Sequence, residues 1–163
     1  KSIRIAGNNF DEDIIRFVKK THNLLIGDRT AEYIKMKIAA AIPLKDEEFL
    51  DVKGRDLITG LPKTISLGSH EVLESINDSL MQIVNNVKAV LEKTPPELSA
   101  DIVDKGIVMT GGGSLIREFP KLLSNYTQLP VYLADNPLES VVLGAGMALD
   151  KLDVLRKIEK MER

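Results

Sequence analysis

Between Ser69 and Leu91 runs the feature that most limits the fold. Leu73, Ile76, Leu80, Ile83, Val84, Val87, Val90 and Leu91 keep a helical period for more than five turns. With Ser69 as its N-cap, the predicted helix is roughly 35 Å long. Thr94-Pro95-Pro96 stops it sharply. A stripe of that length must be buried along its whole face, so other elements have to pack on both of its ends. The helix is read as the joint between two subdomains. The chain has 163 residues, enough for one compact domain or two small subdomains sharing a helix.

Upstream, residues 2–6 alternate polar and apolar like a short strand, with Ile3 and Ile5 on one face. A chain that opens inside a strand, with no initiator methionine, is expected to be cut from something longer. Gly7-Asn8-Asn9 reads as a turn. Asp11 is a candidate N-cap for a helix over 11–22, which carries Ile14, Ile15, Phe17 and Val18. Leu24 to Gly27 close it. Thr30 can cap a second helix over 30–41, striped by Ile34, Ile38 and Ala41 and ended by Pro43. Phe49–Lys53 and Lys63–Leu67 read as strands. The link from Gly54 to Pro62 is long for a hairpin.

Downstream the pattern changes to α/β. Gly106–Met109 reads as a short buried strand, Thr110–Ser114 as a tight glycine loop and 114–125 as a helix. Val131–Leu133 is a second strand. Asn136 then caps a helix with Pro137 at its first position, carrying Leu138, Val141, Val142, Ala145 and Leu149. Strand, loop and helix repeated twice imply parallel pairing. Residues 150–163 are charged and loosely periodic, and read as a helical extension.

Composition closes off several classes. The net charge is −2, which gives nucleic acid no basic stripe to follow. There is no cysteine, so disulfides and thiolate metal sites are excluded, which fits a reducing cytoplasm. His22 and His70 lie too far apart in sequence to suggest a histidine metal site. No stretch is long and apolar enough to span a bilayer.

Two features could carry chemistry. In Thr110-Gly111-Gly112-Gly113-Ser114, three consecutive glycines remove every β-carbon between a strand and a helix. The backbone can then take positive φ and lie close to a ligand, and the helix that follows offers free N–H groups. The loop is not a Walker A loop, since no Gly-Lys-Ser/Thr follows, nor does it have the dinucleotide spacing. By itself it is equally a tight turn with no ligand. Glu32 and Lys35, about one helical turn apart, are either a solvated ion pair or a carboxylate and an ammonium able to bind ribose hydroxyls or a purine edge. His22, His70, Asp101 and Asp104 are read as solvent-facing. Leu57, Ile58 and Leu61 in the long link either tuck into the subdomain or contact a neighbour.

Together these segments resemble one family. Ser2-Ile3-Arg4-Ile5-Ala6-Gly7 with Phe10-Asp11-Glu12 resembles the start of the second domain of the MreB family of bacterial actin-like cell-shape proteins. Leu25-Ile26-Gly27-Asp28-Arg29-Thr30-Ala31-Glu32 with Ile34-Lys35 looks like that family's nucleotide-contacting helix. The strings Arg55-Asp56-Leu57-Ile58-Thr59-Gly60-Leu61-Pro62 and Pro95-Pro96-Glu97-Leu98 are the most specific, and Gly106–Gly113 is similar to its adenosine motif.

The resemblance implies an actin-like (ribonuclease H-like) α/β inner subdomain, IIA, from residues 1–10 and 80–149. A small α+β outer subdomain, IIB, is inserted over 11–79, and 150–163 form the charged extension. It implies that Glu32, Lys35, Gly111, Gly112, Gly113, Ser114 and Leu115 hold the adenosine side of ATP or ADP, while the family's phosphate loops and its Mg²⁺-binding and catalytic carboxylates are expected mainly in the first domain and just before Lys1. Family members are slow ATPases that polymerise into filaments and guide cell-wall synthesis at the inner membrane. Self-association and a RodZ-type membrane shape protein at IIA are the expected partners. Membrane contact is expected only through the first domain, and catalysis is not expected from this chain alone. The competing readings are a sugar kinase or heat-shock chaperone ATPase of the same superfamily, and a plain docking module.

Overall fold

The computed structural model of the chain describes residues 1–151. At its centre three helices pack together: α1 (Gly7–His22), α2 (Asp28–Ile38) and α3 (Ser69–Leu91). α1 buries Phe10, Ile14 and Val18, four residues apart on one face. α2 turns Ala31, Ile34 and Ile38 to the same core, and α3 adds Val72, Ile76, Leu80 and Val84. Burial of each large aliphatic contributes about 1.5–3 kcal/mol relative to leaving it in water.

One side of this layer carries an antiparallel sheet of β1 (Leu24–Leu25), β2 (Phe49–Asp56) and β3 (Pro62–Gly68), in that order. Its register sets Leu50 opposite Leu67 and Val52 opposite Ile65. Gly54 is required where β2 runs beside β1, since a β-carbon there would sit 2.5 Å from the Leu25 carbonyl oxygen. The Asp56 carboxylate ties the hairpin tip by accepting the N–H groups of Ile58 (2.9 Å) and Thr59 (2.8 Å) and pairing with Lys63 at 3.0 Å.

After α3 come α4 (Pro96–Lys105), β4 (Ile107–Met109), a 3-10 turn over Gly112–Leu115, α5 (Phe119–Thr127), β5 (Val131–Leu133) and α6 (Ser140–Asp150). β4 and β5 pair in parallel, Val108 opposite Tyr132, as the repeated strand–loop–helix pattern implies. Ile116, Phe119, Leu122 and Leu123 join this part to the central core. α6 buries no residue, and Val141, Val142 and Met147 are two-thirds or more exposed.

Several expectations are corrected. Residues 2–6 form no strand, because no described strand pairs with them. α1 begins at Gly7 rather than residue 11: Asn9 Oδ1 accepts the Ala6 N–H at 2.9 Å, so Asn8-Asn9 belongs to the first turn of the helix. α2 runs 28–38 rather than 30–41. Gly27 is its N-cap, and Ala39–Ala41 leave the helix to bridge to Arg117. The hairpin link is five residues, 57–61, since both strands extend further than their alternation shows. Ser69 is the first residue of α3 and not its cap. Glu71 accepts the Gly68 N–H, and the Ser69 hydroxyl accepts that of Glu48. β4 is not fully buried, with Val108 65% exposed. The helix expected over 114–125 is broken at Glu118, which takes φ 62°, so α5 starts at Phe119. α6 starts at Ser140 because the Gly111 N–H and the Thr110 hydroxyl both bind the Pro137 carbonyl and hold it out of the helix. Of the expected C-terminal extension, 152–163 lies outside the described residues.

Candidate functional site

α2 and the glycine turn face each other across a cavity of about 630 Å³. From α2 come Glu32, Lys35 and Met36, with Ala39 just beyond its end. The turn supplies Gly112, Gly113 and Leu115. Ala6, Gly7, Ile116, Arg117 and Leu138 complete the lining. Small-ligand sites occupy roughly 300–1,000 Å³ and combine apolar walls with a few polar groups. This cavity has both.

Why the chain arrives there is local. Gly111 takes φ +84°, a conformation that strains any residue with a β-carbon, and the chain folds straight into the 3-10 turn. A β-carbon on Gly113 would meet nothing within 4 Å, so the backbone at that point is open to an approaching group. The Ser114 hydroxyl donates to the Gly111 carbonyl at 2.6 Å, and its residue is buried. Ser114 therefore stabilises the turn from behind and does not line the cavity, and Gly111 likewise shapes the turn from outside the lining. Of the seven residues singled out in the sequence, Glu32, Lys35, Gly112, Gly113 and Leu115 line one cavity.

Lys35 corrects the ion-pair reading. Its ammonium is not on Glu32: it donates to Asp11 Oδ2 at 2.8 Å and to the Gly7 carbonyl at 3.2 Å, with the side chains of Lys35 and Asp11 15% and 14% exposed. α1 thus fixes the lysine at the cavity wall, and the Glu32 carboxylate keeps its acceptors for another partner. In the sequence Asp11 reads only as a cap. A separation of 24 residues hid its role, and no local spacing rule reaches that far.

Arg117 likewise carries no local sequence signal. Its Nη1 donates to Glu48 Oε1 at 2.6 Å and its Nε to the Ala39 carbonyl at 3.4 Å. That hydrogen bond holds the Glu48 carboxyl below its usual range. His22 is not free in solvent but pairs with Glu71 at 2.8 Å. His70, Asp101 and Asp104 are exposed as expected. Among the described residues no group of three or more His, Cys, Asp or Glu could hold a metal, and no helix is long and apolar enough to cross a membrane.

Comparison with known proteins decides the family. The model of the MreB/Mbl protein family matches residues 1–157. The chain belongs to the MreB/Mbl family. Its MreB/Mbl relatives include the cell shape-determining protein Mbl of Bacillus subtilis strain 168, 46% identical over 156 residues, which are 96% of this chain and 47% of that protein. A crystal structure of MreB5 of Spiroplasma citri bound to AMPPNP superposes with a TM-score of 0.90 at 35% identity, over 98% of this chain and 47% of that one. The same protein has also been solved with ADP. A MamK double helical filament shares the fold at a TM-score of 0.70 and 20% identity, over 83% of this chain and 42% of that one. The fold is thus actin-like, and the α/β reading holds. The chain spans about half the length of the curated relatives it matches.

Proposed function

We propose that the cavity between α2 and the glycine turn holds the adenosine end of ATP or ADP. The observation that carries the reading is the convergence of Glu32 and Lys35 with Gly112, Gly113 and Leu115 on one cavity of suitable size and lining. Glu32 accepts from ribose hydroxyls, since its carboxylate is not engaged by Lys35. Lys35 offers an N–H to the ribose or purine edge from a position set by Asp11. The bare backbone of Gly112 and Gly113 lies flat against the nucleoside, with Gly111 and Ser114 keeping the turn in shape. Met36, Leu115 and Leu138 supply apolar contact for a purine ring. Nucleotide in the related MreB5 structures supports the assignment.

On this proposal the phosphates and Mg²⁺ are held by the part of the relatives that the chain does not span. Residues 1–10 and 80–149 form the inner subdomain, and 11–79 the outer one. Within a protein of the relatives' length the domain contributes to a slow, polymerisation-coupled ATPase that assembles filaments at the inner face of the membrane and guides cell-wall synthesis. A RodZ-type shape protein docks on the inner subdomain. The family match and the filament formed by the MamK neighbour support self-association.

Isothermal titration of the 163-residue chain with ATP tests the division of labour. Weak binding is expected, lost in Glu32→Ala. Tight binding by this chain alone would overturn the assignment of the phosphates elsewhere, and no binding at millimolar ATP would overturn the adenosine site.

A further inference from the structure

The two walls of the cavity come from distant parts of the chain, and one residue joins them. Arg117 lies two residues beyond the glycine turn. Its backbone makes a parallel bridge to Ala40, with the Ala41 N–H donating to the Arg117 carbonyl at 2.8 Å. Its side chain binds the Ala39 carbonyl and the Glu48 carboxylate. Glu48 is itself anchored on α3: its N–H donates to the Ser69 hydroxyl at 3.1 Å and its carbonyl accepts the Ser69 N–H at 2.8 Å. Ser69 is 1% exposed and belongs to the core. A path of hydrogen bonds therefore runs from the glycine turn through Arg117 to the end of α2 and on to the start of the longest helix.

We propose that Arg117 is a positioning residue, and that its pair with Glu48 is a latch fixing the glycine turn against α2 at the spacing a nucleoside needs. The inference rests on the nucleotide reading above and adds the group that sets the cavity's width. Three physical points lead to it. The Arg117–Glu48 side chains are 37% and 46% exposed, so their pair should add little to global stability. The pair nevertheless spans the seam where small displacements change the cavity, and binding sites depend on such supporting contacts to hold their geometry. Finally, the guanidinium contacts two acceptors at once, the Ala39 carbonyl and Glu48, which a lysine ammonium on a flexible stem reproduces poorly.

The test uses the full 163-residue chain, fluorescent trinitrophenyl-ATP and hydrogen exchange without nucleotide. Arg117→Leu is expected to weaken binding about tenfold, as losses of supporting contacts do. Glu48→Gln should weaken it less, and the double variant no more than Arg117→Leu, because both act through one latch. The unliganded Arg117→Leu chain should exchange faster at Ala41, with the β2–β3 amides unchanged. Arg117→Lys should recover only part of the affinity. Wild-type affinity in Arg117→Leu would overturn the latch while leaving the nucleotide site intact. Faster exchange throughout the core of Arg117→Leu would also overturn it, by showing a merely structural role. If the wild-type chain bound no nucleotide, the adenosine reading would fall, and unchanged exchange at Ala41 would then overturn the latch separately.

Discussion

Removing the Asp11 carboxylate tests the account of Lys35 most directly. In Asp11→Ala the ammonium keeps only the Gly7 carbonyl, at 3.2 Å, in a place where the lysine side chain is 15% exposed. Stripping one partner from a buried pair costs about 3–5 kcal/mol. Two terms lower that figure here. The cavity mouth gives the ammonium some access to water. Asp11 Oδ1 is already buried without a hydrogen bond, so the substitution also relieves an unmet acceptor, a group that costs about 1–3 kcal/mol. The net loss should be about 1–2 kcal/mol. For a chain of this length that corresponds to a fall in Tm of roughly 2–8 °C. Urea denaturation followed by circular dichroism and by exchange at the Ile14 and Ile34 amides would measure it. Asp11→Ala/Lys35→Met, which strands no charge, should be more stable than Asp11→Ala. If Asp11→Ala lost less than about 0.5 kcal/mol, or the double variant were less stable than the single, α1 would not be what holds the lysine.

Gly113→Leu should leave Tm within a few degrees, because its β-carbon meets open space, yet should reduce nucleotide binding at least tenfold by filling the cavity; a titration beside a thermal melt reads both. Leu80→Ala, at a fully buried position, should cost about 2–5 kcal/mol in urea denaturation. The backbone N–H of Thr59, then Lys63 and the N–H of Ile58, hold the Asp56 carboxyl well below the usual carboxylate range. A lowered folded-state pKa gives stability that is full above the unfolded value of about 3.9 and is lost as pH falls below it. An NMR titration should therefore find the Ile58 and Thr59 amides shifting only in strong acid, and Asp56→Asn should remove that dependence.

What was legible in the sequence was whatever obeyed a local period or motif. The stripe from Leu73 to Leu91 placed α3 within a residue, and the parallel β4–β5 pair followed from its alternation with helices. The glycine run and the Glu32–Lys35 helix are linked in the sequence only by a family resemblance, and the cavity they share comes from packing. What was hidden depends on distant contacts. β1 has two residues and shows no alternation, α4 buries none and leaves only a weak stripe, and the start of α6 is set by Thr110 and Gly111 holding the Pro137 carbonyl. Asp11 and Arg117 were missed because their partners lie 24 and 69 residues away.

The uneven burial along the chain has a consequence for how it melts. The core is concentrated in α1, α2, α3, the β2–β3 hairpin and α5, whereas α4 and α6 hold no fully buried residue. Cooperative unfolding requires shared buried surface, and segments with little of it open at a small fraction of the global free energy. The α4 and α6 segments should therefore open as separate, weaker units, while α5 stays with the core. Proteolysis should cut first around α6 and leave a protected N-terminal unit, and a single van't Hoff enthalpy should fall short of the calorimetric one.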